Sequence, residues 1–279
     1  MMQIWNSIIW IWQVIRMWNI MKSQNYQTRG DNLVIYGFLI VIIFPFLGLL
    51  MDGDGSIFED LNGSMYLLLA SPMFPFTATI LSLIVVARIC GWDSTDKTIN
   101  YEIMAGHSRA EVYFGRVCSA LIWTIGGSFA AMALPVAIIS LICGFGNNMP
   151  LGDVVLNTGL FLLVLFRMSC EYILLTFLLR NCYAAMLLGY AFTAFGMVGV
   201  MVYTDLTGVE STVETALVNM GQLFNFGNYQ IKNIGGEEIQ VFHLALEPSI
   251  ISSTVLVSLL VGIICLLVGY VFFSRRDMR

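Results

Sequence analysis

Arg167 and Glu171 stand four residues apart in an otherwise apolar stretch, VLFRMSCEYIL. On a helix that spacing puts both charges on one face, where they can pair. A guanidinium at the centre of a bilayer costs about 2.5–3.5 kcal/mol on insertion scales. The couple is therefore either a polar element of a transport path or gate, or a structural pair buried between helices. A second polar group, Ser71, Thr77 and Thr79, falls in SPMFPFTAT beside Pro72 and Pro75. Proline removes a helix hydrogen bond. Hydroxyls beside such a break either line a cavity or re-satisfy the freed backbone. Arg167, Glu171, Ser71, Thr77 and Thr79 are the candidate path or gate residues.

Other motifs stop short of chemistry. Gly106-His107-Ser108-Arg109-Ala110 approaches the nucleophile elbow, but it ends in Ala and no strand precedes it. His243 is the only other histidine, and the topology below puts it on the opposite side of the membrane, so no Ser/His/Asp triad assembles. Asp52-Gly53-Asp54-Gly55-Ser56-Ile57 resembles the middle of a calcium loop. Its first and last ligand positions are then Leu50 and Leu61, where carboxylates are required. Asn62-Gly63-Ser64 has the form of a glycosylation acceptor. The six cysteines lie in or at the ends of apolar runs and form no C-x-x-C pair, which favours neither a disulfide framework nor a metal site. No G-x-x-x-x-G-K-[ST] occurs, so the chain is expected not to be an enzyme and to bind no nucleotide itself. ATP and Mg would have to sit on a partner subunit. No nucleic-acid partner is expected.

The elements that carry these residues are apolar. The chain is 58% hydrophobic and only 11% charged, against about a quarter charged in soluble domains. The reading is an all-α, polytopic membrane protein with six transmembrane helices, an N-terminal interfacial helix and a short cytoplasmic coupling helix. The six spans fall near 32–51, 65–90, 118–143, 155–179, 183–203 and 250–273, each with roughly the 20 residues a bilayer core demands. Residues 1–22 hold Trp5, Trp10, Trp12 and Trp18, interrupted by Asn6, Gln13, Arg16 and Asn19. Tryptophan favours the membrane–water interface. Residues 1–31 are accordingly read as an interfacial helix and linker, with a further span as the alternative. Of the 13 Lys and Arg residues, Lys232 alone falls in the loops opposite the basic side, and Arg167 lies within a span. Basic loops stay in the cytoplasm. Both termini, segment 91–112 and tail 274–279 are thus expected inside, with the long loop 204–249 outside. In that loop Val213–Phe226 has helical spacing, and Gly235-Gly236 separates two strand-like or irregular pieces.

Segment 91–112, GWDSTDKTINYEIMAGHSRAEV, is the polar interval between spans two and three. Asp93, Ser94, Thr95 and Asp96 can each cap a helix. Ile99, Ile103 and Met104 share a face. Gly106 suits the position just past a helix end. Ser108 and Glu111 have the spacing of a capping box. A short helix between two capped breaks has the shape needed to pass a push from a soluble protein to a membrane helix. An ordinary interhelical loop has the same composition.

This order of elements, with Asp93-Ser94-Thr95-Asp96-Lys97-Thr98-Ile99-Asn100-Tyr101-Glu102-Ile103-Met104 followed by Gly106-His107-Ser108-Arg109 and Tyr113-Phe114-Gly115-Arg116, resembles the permease subunits of ABC-2 type ABC transporters. Asp93, Thr98, Ser108, Arg109 and Arg116 occupy the family's acidic, Thr, Ser-Arg and basic places, with Asp for the usual Glu and Arg for the common Lys. The resemblance implies a bacterial plasma-membrane exporter built from two permease chains, alike or different, and an ATPase subunit. That subunit would dock at about 95–106, through Asp96, Thr98, Ile99, Tyr101, Glu102, Ile103, Met104 and His107. Spans two and five would line the path, and an amphipathic or hydrophobic substrate would be moved: an antimicrobial peptide, a drug or a lipid-like molecule. The alternative is a non-transporting scaffold or sensor that recruits a soluble partner through 91–112. An ATP-independent carrier would show matching discontinuous helices in two halves, and no such symmetry is visible.

Overall fold

The computed structural model describes residues 2–51, 62–70, 73–92, 99–207, 228–234, 237–243 and 248–275. Among them, helix α1 runs over Met2–Arg29 and α2 over Asn32–Met51. Helices α3 (Gly63–Ala70) and α4 (Met73–Val86) follow, and α4 continues into a π-helical turn, Ala87–Gly91. The short α5 is Ile99–Met104. Helix α6 (Arg109–Leu121) passes through a second π turn, Ile122–Gly126, into α7 (Gly127–Cys143). Then come α8 (Leu151–Leu179), α9 (Cys182–Thr207), strands β1 (Asn228–Ile234) and β2 (Glu237–His243), and α10 (Pro248–Arg275).

Among the described residues, four helices are long and apolar enough to cross a membrane: Met73–Gly91, Arg109–Cys143, Leu151–Leu179 and Ile251–Arg275. A fifth is added if Val14–Arg29 and Asn32–Phe44, bent by 69° at their break, count together, and Cys182–Gly196 is a shorter apolar helix. The protein is therefore a mostly helical membrane protein. The expected span 65–90 is two helices on either side of residues 71–72. Pro75 lies in the first turn of α4, where a missing N–H costs nothing. The expectation of an all-α chain meets one exception, the antiparallel hairpin β1–β2, registered from Asn228 opposite His243 to Ile234 opposite Glu237. The Gly235-Gly236 pair between the strands lies outside the described residues. The calcium-like turn at 52–57 and the helical spacing at 213–226 lie outside the described residues.

Helices α4 and α8 form the middle of the bundle. α8 packs on α4, α9 and α10, and α2 packs on α4 and α7. Tyr66, Phe74, Leu81, Phe161, Leu165 and Ile173 are buried between them. Lipid is as apolar as leucine, so close packing rather than exclusion from water must hold such helices together. Gly115 shows how: a Cβ there would lie 2.9 Å from Ile20 Cγ2, so its absence lets α1 seat on α6.

The connections sort into two ends. At one, Asn62 caps α3 by accepting from Met65 N at 2.9 Å, and its amide donates to Asn148 at 3.1 Å. The sequon asparagine is thus a cap. At the other end lie α5, the start of α6, the close of α10 and the two-residue link Arg180-Asn181. Arg180 takes the left-handed conformation (φ 56°), and the Asn181 side chain accepts from Tyr183 N and Ala184 N, ending α8 and starting α9 without a loop.

Candidate functional site

Helix α5 and the joint that follows it form the candidate site. Gly106 adopts φ 92°, a left-handed value that glycine reaches without a steric penalty, and its N–H donates to Ile103 O at 2.9 Å. The chain then leaves α5 abruptly. Ser108 caps α6: Glu111 N donates to Ser108 Oγ at 3.2 Å and Ser108 N donates to Glu111 Oε2 at 2.9 Å, a complete capping box. His107 Nδ1 stands 3.7 Å from Glu111 Oε2.

The inner side of α5 is fastened to the bundle. Ile99 is buried in the core, and Ile103 packs against it. Glu102 accepts from Arg116 Nη2 at 2.9 Å and from Arg116 Nε at 3.3 Å. The Arg116 side chain is wholly buried while Glu102 keeps 24% exposure, so a charge carried into the interior has its counter-charge supplied from α5. Arg116 Nη1 donates to Ile89 O at 3.3 Å. Ile89 lies in the π turn Ala87–Gly91 that follows α4.

Two more arginines at this end do the same. Arg16 Nη1 donates to Gly106 O at 3.3 Å, just past α5, and Arg109 donates to Ser274 O in the last turn of α10. Each cation sits where a helix end is negative. Together with Arg116 they tie α1, α5, α6 and α10, and the first π turn at the end of α4, into one unit. The outer side of α5 is bare: Tyr101 is 67% and Met104 71% exposed. Asp96 and Thr98 lie outside the described residues. Of the expected docking residues, then, Ile99, Ile103 and Glu102 face inward, His107 is half-buried, and Tyr101 and Met104 face out.

Of the expected path residues, Thr77 and Thr79 lie on α4 and Arg167 and Glu171 on α8. Thr77 Oγ1 donates to Met73 O at 3.0 Å and Thr79 Oγ1 to Pro75 O at 2.7 Å, so both hydroxyls bond their own helix, and both are buried. Ser71 lies outside the described residues. Arg167 Nε is 3.6 Å from Glu171 Oε1; the arginine side chain is 3% exposed and the glutamate 20%. One turn on, the Tyr172 and Thr193 hydroxyls meet at 2.6 Å and tie α8 to α9.

The partnership of Glu102 with Arg116 is a contact that spacing did not reveal. The signal that could have found it is a cation placed to serve a helix end. Comparison with family models, with curated proteins and with solved structures finds no match. The reading rests on geometry.

Proposed function

We propose that this chain is the permease subunit of an ATP-driven exporter of the ABC-2 kind, with six spans, both termini in the cytoplasm and α5 as its coupling helix. In this reading the partner ATPase carries ATP and Mg, and a second permease chain completes the pore. The observation that carries the proposal is the two-sidedness of α5. Its Tyr101 and Met104 are exposed, and in this reading they face the cytoplasm. An exposed aromatic and a Met on a rigid helix are favoured anchors for a protein partner.

The inner contacts make the helix a lever. A push on Tyr101 and Met104 passes through Ile99 and the Glu102–Arg116 pair to Ile89, the end of the second span, and to α6, the start of the third. Arg16 and Arg109 spread it to α1 and α10. Such a unit would tilt as a body and shift the spans between inward and outward openings. The substrate class that suits the apolar interior is amphipathic or hydrophobic.

Co-purification in mild detergent from the native membrane, with an ATPase assay, tests this. Wild type should retain an ATP-hydrolysing partner, and Tyr101→Asp with Met104→Asp should lose it while unfolding at an unchanged temperature, because neither side chain is packed. A folded variant that keeps the ATPase, or a wild type that brings none, overturns the proposal and leaves the scaffold reading.

A further inference from the structure

A cavity of about 870 Å³ opens beside the α1–α2 elbow, at the same end as α5. Its walls are the last turns of α1, the start of α2, the first π turn with Trp92, and the start of α9. Among the described residues only two lining groups carry charge, Arg88 and Asp31, and they are paired. Asp31 Oδ1 also accepts from Leu33 N at 2.9 Å, capping α2. The Arg88 guanidinium lies 3.9 Å from the centre of the Trp92 ring. Trp92 in turn meets Tyr183 edge-on at 6.0 Å between centroids.

This is a preset site with spare capacity. Arg88 gives Nε and Nη2 to Asp31, which leaves the two N–H groups of Nη1. Asp31 Oδ2 takes both of those Arg88 groups, whereas Oδ1 has one described partner, Leu33 N, and can accept another. Both charged side chains keep some exposure, 21% for Arg88 and 15% for Asp31. Trp92, Tyr183 and Tyr26 add aromatic faces and hydroxyls of the type that sits at lipid headgroup level. The volume falls within the usual range for ligand sites.

We infer that the cavity holds the headgroup of a zwitterionic amine phospholipid such as phosphatidylethanolamine. The lining presents one positive and one negative charge, and so does that headgroup. The phosphodiester takes the Nη1 edge of Arg88; the ammonium takes Asp31 and the neighbouring rings, an arrangement cations favour. An anionic lipid without an amine brings no cation for the open side of Asp31 Oδ1. The acyl chains run out past Leu33 and Met186, two apolar groups of the lining. This inference needs the chain to lie in a membrane but does not need the exporter reading.

The test is native mass spectrometry of the full-length protein, delipidated in detergent and titrated with phosphatidylethanolamine or phosphatidylglycerol. Wild type should retain the amine lipid in preference. Arg88→Gln should weaken that retention about ten-fold, the loss of one charge-assisted contact. Gly30→Trp supplies a second arm: a Cβ at Gly30 meets only Gln27 O, at 3.8 Å, so a ring there enters the cavity while leaving Arg88 and Asp31 in place. It should abolish the preference. Equal retention of both lipids by wild type, or undiminished preference in folded Gly30→Trp, overturns the inference. ATPase retention is read in the same samples and is expected not to change, which separates this result from the coupling experiment.

Discussion

A methyl group on Gly269 would lie 2.7 Å from the hydroxyl oxygen of Tyr113. The same hydroxyl donates to Leu266 O at 2.8 Å, and the ring lies among Phe114, Phe177, Tyr270 and Phe273 with centroids 4.9–5.7 Å away. The glycine and the tyrosine are two halves of one contact that seats α10 on α6.

That relationship makes a double-mutant test. Gly269→Ala alone overpacks the site and should cost about 1–3 kcal/mol. Tyr113→Phe alone loses one hydrogen bond, about 1 kcal/mol. With the hydroxyl gone, the nearest ring atom is 3.7 Å from the new methyl, an ordinary contact. The double variant should therefore be nearly as stable as Tyr113→Phe. Thermal unfolding in detergent reads all three, and additive losses would refute the geometry.

Glu102→Gln takes a carboxylate away from the buried Arg116 guanidinium. Because Glu102 itself touches water, the cost belongs at the lower end for a broken buried pair, on the order of 3 kcal/mol. A drop of several degrees in unfolding temperature is expected. The comparison is Glu111→Gln, which keeps a capping amide at the same joint and should lose far less. Equal losses would mean that the capping box, not the ion pair, holds α5.

The Arg167–Glu171 couple calls for a pairwise exchange. Arg167→Ala should be strongly destabilising, through both the lost packing and an orphaned carboxylate. Replacing both residues by Met removes two charges from the membrane interior together and should return stability to within about 1–2 kcal/mol of wild type. If the double variant unfolds as early as the single one, the couple has polar partners that hydrophobic packing cannot replace.

Local signals in the sequence were realised where only neighbouring residues had to agree. The Ser108–Glu111 box and the turn at Gly106 depend on a few positions, and both stand in the structure. The long apolar runs became long helices for the same reason. What stayed illegible depends on distant partners. Ile99 and Glu102 occupy an inward face because Arg116, fourteen residues from Glu102, arrives from the next helix. For Thr77 and Thr79 the sequence left cavity lining and backbone repair both open, and only the structure shows their hydroxyls bonded within one turn of their own helix. The two π turns had no signal at all: in a run that is apolar all round, a period slightly longer than 3.6 leaves no mark on composition.

Those π turns have a consequence for how the chain can change length. A π turn holds one residue more than an α turn. Deleting a residue elsewhere in the 35-residue helix Arg109–Cys143 would rotate everything beyond the deletion by about 100°, turning packed side chains outward. Within Ile122–Gly126 the same deletion removes the surplus and leaves the faces of α6 and α7 aligned. This stretch is where a lineage can gain or lose a single codon without rebuilding the bundle.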